Sequence, residues 1–430
     1  MLLIQNVTVI DPGSGTQTLG DILIAGDKIQ KIAPVIEPPA GAEILDGSGL
    51  CAGPGLVDVH VHFRDPGLTY KEDILTGAAA AAAGGFTTVV IMGHTEPANH
   101  TVGSVRYFQN KGRETGIHVE TCGTVTVGMQ GKKLTDMSEL KEAGAVGFTD
   151  DGVPLMDEEL TLAAMEKTAR LHVPISFHEE NPAYIANNGV NRGKASDHFG
   201  IDGSDRQAEI SMIERDIGLA VQTGCCMDVQ HISTKEGVDL IRRARQEHPG
   251  IDVHAEATPH HIALTEDAVI EHGPLEKMNP PLRTTMDRLA IVEGLVDGTI
   301  DLIATDHAPH SVEEKAKPLT EAPSGIIGLE TALAVCITEL VEPHYLSLCQ
   351  LMEKMAYNPA RMYHLDRGYL AEGGPADVVL FDPAESFVVG EHFHSKAVNS
   401  PFIGQELKGV VRYTICDGKI VYENLTDPGI

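Results

Sequence analysis

Short apolar runs rich in β-branched residues recur through the middle of the chain, and longer helix-like stretches separate them. We predict helices at 76–83, 157–171, 205–223, 234–247 and 285–296. Strands that alternate with helices pair in parallel, and eight of them close most simply into a (β/α)8 barrel. The eight predicted strands are 56–62, 87–92, 118–125, 145–151, 174–180, 227–233, 252–259 and 301–307.

The two ends of the chain follow a different pattern. Both alternate apolar and polar positions, which is typical of strands with one exposed face, and Asp417-Gly418 is a hairpin signal. The six alanines at 78–83 predict a helix packed close to the barrel, with Gly84-Gly85 at its end. We predict an α/β protein: a (β/α)8 TIM barrel at 53–366, and a small β-sandwich whose N-terminal part is 1–52 and whose C-terminal part is 367–430.

Side chains that commonly bind metal ions stand at the carboxyl ends of five predicted strands. His60 and His62 are two residues apart, so an extended strand projects both to one face, which Arg64 continues. Because barrel enzymes assemble their sites at this end of the strands, we expect these side chains to meet in one cleft. The other strand ends carry Asp150 and Asp151, His178, His231 and Asp306.

Four imidazoles and two carboxylates in one cleft can hold two divalent cations. His60 and His62 would bind one ion, and an aspartate of the fourth strand would bridge it to a second ion on His178 and His231. Such ligands favour two Zn2+ per chain, with Mn2+ or Co2+ as substitutes. Two ions about 3.5–4 Å apart lower the pKa of a shared water toward roughly 7. With Asp306 moving the proton, this indicates hydrolysis of a carbonyl–nitrogen bond, or its reversal.

The composition argues against several other classes of function. The chain carries 62 acidic and 32 basic residues, a net charge of −30, whereas nucleic acids and anionic membranes bind clustered Lys and Arg. It has no tryptophan, no apolar run long enough to span a membrane, and no basic and apolar leader. Seven cysteines without CxxC spacing are typical of reduced thiols. We therefore expect a cytoplasmic protein that acts on a small molecule.

Several sequence strings, in a fixed order, resemble one group of proteins along essentially the whole chain. The strings are GPGLVDVHVHFRDPG (53–67), GGFTTV (84–89), GFTDDG (147–152), TPHH (258–261), MNPPLR (278–283) and ATDHAPH (304–310). Together they resemble the dihydroorotases of the bacterial class I type, within the amidohydrolase superfamily. The resemblance implies interconversion of L-dihydroorotate and N-carbamoyl-L-aspartate, a step in pyrimidine synthesis.

The resemblance also assigns expected roles to individual residues. The substrate carries a carboxylate, and Arg64 offers a guanidinium that binds such a group in bidentate form. Asp306 is implied to be the catalytic proton shuttle as well as a ligand. The implied metal ligands are His60, His62, Asp151, His178, His231 and Asp306, and the implied substrate contacts are His62, Arg64, Asn279, His310 and the backbone around Ser324 and Gly325.

This chain departs from the family pattern at two positions. Where the family has an asparagine that binds the substrate carboxylate, in the motif Asn-Thr-x-Pro, this chain has His94 in GHTEP. His94 is interpreted as a working substitute that donates a hydrogen bond, as a space filler, or as a mark of altered specificity. Ser324 stands where a phenylalanine is common, which predicts a more open pocket.

Two alternative functions stay open at this stage. Other cyclic amidohydrolases, which act on hydantoin, dihydropyrimidine or allantoin, bridge their metals with a carboxylated lysine near the fourth strand, but no lysine lies between Lys141 and Lys167. An inactive homologue that serves as a structural partner of aspartate carbamoyltransferase should have lost ligands, and this chain keeps all six. The sequence leaves open whether the chain forms a homodimer and whether it binds aspartate carbamoyltransferase. The charged segment 311–323 is predicted to be a solvated loop and a candidate lid.

Overall fold

The computed structural model describes residues 1–424 of the chain. Within this range the strands are β1 (Leu2–Asp11), β2 (Thr16–Ala25), β3 (Lys28–Ala33), β4 (Glu43–Asp46), β5 (Cys51–Pro54), β6 (Leu56–Val61), β7 (Phe86–Ile91), β8 (His118–Gly123), β9 (Gly147–Thr149), β10 (Ile175–Phe177), β11 (Met227–Val229), β12 (Val253–Ala257), β13 (Leu302–Ile303), β14 (Val378–Val388), β15 (Glu406–Cys416) and β16 (Lys419–Glu423).

The α-helices of the same range connect the barrel strands or pack beside them. None of them is long and apolar enough to cross a membrane. They are α1 (Ile74–Ala83), α2 (Val102–Gly112), α3 (Met137–Ala143), α4 (Glu158–Leu171), α5 (Lys194–Phe199), α6 (Gln207–Thr223), α7 (Lys235–Glu247), α8 (Pro259–Ala263), α9 (Glu266–His272), α10 (Thr285–Asp297), α11 (Val312–Lys315), α12 (Ala332–Cys336), α13 (Leu348–Met352) and α14 (Asn358–Met362).

The strands from β6 to β13 form one parallel sheet in chain order. A parallel bridge between Val61 and His307 joins the first strand to the segment that follows the last one. The backbone amide of His62 donates to the carbonyl oxygen of His307 at 2.8 Å, which closes the ring. The predicted (β/α)8 barrel is confirmed. All eight strands overlap their predicted ranges, but most are shorter.

Both chain ends contribute to a second sheet, in the order β16-β15-β14-β5-β1-β2-β3, with β4 beside β1. Its strand pairs are antiparallel except where β1 meets β4 and β5. The hairpin between β15 and β16 turns at Asp417 and Gly418, as predicted. The prediction that both chain ends join in one small β region is therefore confirmed. The domain boundaries, between residues 52 and 53 and between residues 366 and 367, stay predictions.

The five predicted helices are present as α1, α4, α6, α7 and α10. Polar side chains begin four of them by accepting hydrogen bonds from the first backbone amides: Asp73, Asp157, Thr234 and Thr284. These caps satisfy amides that have no partner inside the helix. Local signals in the sequence therefore set where these helices start.

The alanine helix α1 packs closely and ends at Gly84. Its last alanines, at 80–83, are at most 6% exposed. A β-carbon at Gly84 would lie 2.0 Å from the carbonyl oxygen of Leu329, so only glycine fits between α1 and that backbone. Gly85 follows with a φ of 89°, in the left-handed region. The predicted end of the helix at Gly84-Gly85 is confirmed.

We expect Gly84→Ala to lower the free energy of unfolding by about 1–3 kcal/mol, because the added methyl group meets backbone that has little room to move. Gly218→Ala is the matched control. Gly218 is an exposed position inside α6 with open space around its β-carbon. Alanine there should raise the free energy of unfolding by about 0.5–1 kcal/mol. Urea unfolding measures both variants, and equal effects would contradict the close contact at Leu329.

Candidate active site

A cleft of about 270 Å³ opens at the carboxyl ends of the barrel strands. His60 lies at its floor and has no exposed surface. The structure thus brings every predicted site residue into or beside one cleft. Its lining residues are His62, Arg64, His94, Asp151, Gly152, His178, Asn188, His231, Asn279, Asp306, Ala308, His310, Ser324 and Gly325.

The carboxylate of Asp151 lies between two pairs of histidines. Its Oδ2 is 3.1 Å from Nε2 of His62 and 3.4 Å from Nε2 of His60. Its Oδ1 is 3.5 Å from Nδ1 of His178 and 3.6 Å from Nε2 of His231. Each oxygen therefore faces a different pair of imidazoles, as a bridging carboxylate does.

The donor atoms around Asp151 fit two cations. They form two groups, each with ligand atoms within 4.8 Å of one another, and Asp151 belongs to both. In the part of the chain that the structure describes, Oδ1 of Asp151 and Nε2 of His60 are buried without a hydrogen-bond partner. Buried polar atoms without partners are costly, and a cation in each group would satisfy them. Nitrogen and carboxylate donors of this kind suit zinc, manganese or cobalt.

The electrostatics keep this carboxylate charged. Burial alone would raise the pKa of Asp151, but the charge of His60 and the imidazoles of His178 and His231 beside Oδ1 hold that pKa well below its usual range. The result is a buried anion enclosed by imidazoles, which is the environment that a divalent ion requires.

The neighbouring Asp150 points away from the histidines. Its carboxylate accepts hydrogen bonds from the backbone amide of Thr126 at 3.1 Å and from the Thr126 hydroxyl. Burial raises the pKa of Asp150 to about 6, and the bonds from Thr126 oppose that shift. Of the two aspartates, only Asp151 faces the cleft, as the family resemblance implies.

Asp306 lies on the open side of the same group. Its Oδ1 is 3.1 Å from Nε2 of His62 and 3.5 Å from Nε2 of His60. It also forms a third group of potential ligands with His60 and His231. Its side chain is 12% exposed, compared with 4% for Asp151, so it reaches both the ligand cluster and the open cleft.

Arg64 reaches the cleft by a turn and not by strand alternation. The strand β6 ends at Val61, and Arg64 has a φ of 58°, in the left-handed region. Its Nε donates to the carbonyl oxygen of Pro309 at 3.3 Å, which fixes the guanidinium beside the cleft. Arg64 therefore reaches the predicted position beside the cleft, but through a turn in the backbone and not through an extended strand.

His310 is held from both sides of its ring. The Lys71 ammonium donates to Nδ1 at 3.3 Å, so the proton of the ring is on Nε2, which donates to the carbonyl oxygen of Ser324 at 2.8 Å. The next residue, Gly325, has a φ of 119° and leaves space beside Ala308. The predicted contacts His310, Ser324 and Gly325 thus share one wall of the cleft.

The segment 311–323 is only in part the solvated loop that its charges predict, because seven of its thirteen residues are exposed but others are held beside the cleft. Residues 312–315 form α11, and Lys315 is 7% exposed. Its ammonium donates to the carbonyl oxygens of Pro323 and Gly325 at 3.1 and 3.0 Å. Glu314 pairs with Lys71 at 2.8 Å. Glu314 and Lys315 are therefore held beside the cleft, whereas Glu313, Lys317 and Glu321 are exposed.

His94 lies in the cleft with its ring centroid 6.4 Å from that of His62. Gly152 leaves room for it, because a β-carbon there would be 2.9 Å from Nδ1 of His94. Burial, helped by the charge of His62, lowers the pKa of His94 to about 4. At neutral pH His94 is therefore a neutral imidazole, and the three interpretations of its role stay predictions.

Two carboxylates behind the histidines were missed by the sequence analysis. Glu256 accepts from Nδ1 of His60 at 2.8 Å, and Glu180 from Nε2 of His178 at 3.0 Å. Such partners fix the tautomer and the orientation of a ligand histidine. A signal for Glu256 was present, because β12 is a buried strand and a buried acid needs a partner.

Comparison with known proteins agrees with this geometry. The solved structure of an L-hydantoinase (dihydropyrimidinase) from Arthrobacter aurescens has a TM-score of 0.88 and 27% identity, over 98% of this chain and 96% of that one. The fold and the cluster of histidines and aspartates define a cyclic amidohydrolase enzyme. A family model described as dihydro-orotase-like matches residues 50–237.

Two curated relatives match at higher identity, and both are named dihydroorotase. The one from Clostridioides difficile is 52% identical over 98% of this chain and 100% of its own length. The one from Clostridium acetobutylicum is 48% identical over 99% of this chain and 100% of its own length. This chain belongs to the dihydroorotase family.

We expect Asp151→Ala to remove both metal ions, because its carboxylate is shared by the two ligand groups. Asp150→Ala is the matched control and should leave the metal content largely intact, since its oxygens bind Thr126. Metal analysis of the purified variants by mass spectrometry measures the difference. Loss of metal from Asp150→Ala with retention in Asp151→Ala would show that the bridge is the other aspartate.

Proposed function

We propose that the protein is a dihydroorotase, which interconverts L-dihydroorotate and N-carbamoyl-L-aspartate in the pathway to UMP. The observation that carries this proposal is Asp151, whose two oxygens face two histidine pairs in a cleft that also contains Arg64. Family membership supports the same reaction. The ring amide is hydrolysed in one direction and formed in the other.

The proposed cofactor is two Zn2+ per chain, with Mn2+ or Co2+ as substitutes. His60 and His62 would hold one ion, together with Asp306. His178 and His231 would hold the other. Asp151 would bridge them. When bound, the ions supply Lewis acidity, which lowers the pKa of water and polarises the amide carbonyl.

Asp306 is the proposed proton shuttle. As water adds to the ring carbonyl carbon, the Asp306 carboxylate accepts a proton from it. When the carbon–nitrogen bond breaks, Asp306 returns this proton to the departing nitrogen, and the free carboxylate is restored. In the reverse direction Asp306 accepts a proton from the attacking carbamoyl nitrogen and delivers it to the departing oxygen. Its partial exposure at the open side of the cluster supports this role.

Substrate recognition is assigned to the polar groups on the walls of the cleft. Arg64 provides a guanidinium for the substrate carboxylate, which a chain with a net charge of −30 needs locally. Oδ1 of Asn279 is buried without a hydrogen-bond partner in the described part of the chain, so it is available to accept from a ring N–H. His62, His94, His310 and the backbone of Ser324 and Gly325 complete the proposed contacts.

Two features favour this reaction over the alternatives. Asp151 occupies the position between the histidine pairs, where hydantoin-type relatives are expected to use a carboxylated lysine. All six proposed ligands are present and face one cleft, which favours a working enzyme over an inactive homologue. We extend the proposal to a cytoplasmic enzyme, with a homodimer and aspartate carbamoyltransferase as the predicted partners to test.

The purified protein should hydrolyse dihydroorotate and form it from N-carbamoyl-L-aspartate, and it should prefer this substrate to dihydrouracil. Asp306→Asn should lower turnover by roughly 10²–10⁴, the usual loss for a general acid–base group, while the metal content stays largely intact. Steady-state kinetics with metal analysis measure both. Turnover near that of the wild type in Asp306→Asn would contradict the shuttle, and a preference for dihydrouracil would contradict the reaction itself.

If His94 binds the substrate carboxylate, His94→Ala should raise KM for dihydroorotate roughly 10- to 150-fold, the equivalent of about 1.5–3 kcal/mol for a hydrogen bond to a charged group. His94→Asn should recover most of this loss. Because burial lowers the pKa of His94 to about 4, its contribution to KM should be flat from pH 6 to 8 and should strengthen only as the pH falls toward about 4. An unchanged KM in His94→Ala would show that His94 only fills space. Dihydrouracil, which lacks the carboxylate, is the control substrate.

A further inference from the structure

A second set of potential metal ligands lies at the opposite end of the barrel from the cleft. His118 is the first residue of β8, Asp377 directly precedes β14, and Cys416 and Asp417 stand where β15 turns toward β16. We call these four residues the junction cluster, because they join the barrel to the sheet of the chain ends. Three of them, His118, Cys416 and Asp417, line an open cleft of about 460 Å³.

The donor atoms of the junction cluster converge. Nε2 of His118 is 3.3 Å from Oδ2 of Asp377 and 3.5 Å from Oδ1 of Asp417. Sγ of Cys416 lies within 4.8 Å of the ligand atoms of His118 and Asp417. Four ligands placed about 2.0–2.3 Å from a tetrahedral zinc ion are roughly 3.3–3.8 Å apart. Nε2 of His118 is already at about this spacing from both carboxylates, and Sγ of Cys416 lies within 4.8 Å of His118 and Asp417.

Two of these atoms face each other at 3.3 Å but make no hydrogen bond in the described part of the chain. The Asp377 residue is 2% exposed, and its Oδ2 has no hydrogen-bond partner in residues 1–424. Nε2 of His118 is also buried without one. The other oxygen of Asp377 accepts from the backbone amide of Asp417 at 2.9 Å, so the carboxylate is held in place. Nη1 of Arg367 is 3.9 Å from Oδ2, too far for a hydrogen bond.

A second cluster with the same residue types provides a contrast. Cys226, Asp252 and His254 also place potential ligand atoms within 4.8 Å of one another. There, however, both ring nitrogens of His254 have partners, Asp301 at 2.6 Å and Asp252 at 3.2 Å. Its imidazole therefore has no free nitrogen for a metal. Of these two clusters of described residues, only the junction cluster has buried nitrogen or oxygen atoms without a hydrogen bond.

We propose that His118, Asp377, Cys416 and Asp417 bind a structural zinc ion that fastens the β15–β16 hairpin to the barrel. A thiolate, an imidazole and two carboxylates form a donor set suited to zinc. On binding, the Cys416 thiol loses its proton to solvent and the sulfur–zinc bond forms. Two carboxylates and one thiolate face the doubly charged ion, and the nearby Arg367 guanidinium balances the remaining charge.

Cobalt substitution tests the site independently of the catalytic cleft. None of the described residues that line that cleft is a cysteine, so a thiolate-to-cobalt absorption band reports a metal site outside the cleft. Protein produced in cobalt medium should show this near-ultraviolet band, with about three metal ions per chain in total. Cys416→Ser should lose the band, and Cys226→Ser, the matched control in the second cluster, should keep it. Absence of the band in the wild type, its survival in Cys416→Ser, or its loss in Cys226→Ser would overturn the proposal.

His118→Gln provides a second variant in case Cys416→Ser does not fold. It should bind about one ion fewer per chain than the wild type, while turnover of dihydroorotate is unchanged, because His118 lies outside the catalytic cleft. An unchanged metal count would show that His118 is only an ion-pair partner of Asp377 and Asp417, and the zinc site would be rejected. The metal count and the cobalt band keep their meaning even if dihydroorotate is not the substrate.

Discussion

The organisation of the site depends on one buried carboxylate, that of Asp151, which divides its two oxygens between two pairs of imidazoles. A buried anion is stable only when it is paired, and here the partners come from β6, β10 and β11, or from the residues that directly follow them. Closing the barrel brings these strand ends together. The carboxylates Glu256 and Glu180 then hold the far nitrogens of His60 and His178. The remaining unpartnered atoms point inward, where two cations would complete the site.

The backbone at the cleft is strained where the chemistry is proposed. Arg64, His231 and Asp306 have positive φ values of 58°, 35° and 49°, although none of them is a glycine. Each such residue costs on the order of 1–3 kcal/mol and persists only when its surroundings hold it. The closed barrel supplies this rigidity, since its strands are buried along their length. The stability of the closed barrel thus offsets the backbone strain that places a guanidinium, an imidazole and a carboxylate at the cleft.

Much of this could be predicted from the sequence, because it depends on local patterns. Apolar runs separated by helical stretches predicted all eight barrel strands, and the histidine spacing at 60 and 62 predicted two of the six proposed ligands. Features that depend on pairing through space were missed. Glu256 contacts His60 across 196 positions, and the charges of 311–323 find partners such as Lys71 that no local pattern indicates. The positive φ of Arg64 could not be predicted either, because an arginine in the sequence does not indicate a left-handed backbone conformation.

Anomalous X-ray scattering from zinc-loaded crystals tests most directly whether the two oxygens of Asp151 bind two different metal ions. We expect two zinc peaks in the cleft, one beside Oδ2 with His60 and His62, and one beside Oδ1 with His178 and His231. A single peak, or two peaks on the same side of Asp151, would contradict the bridging role on which the proposed reaction depends.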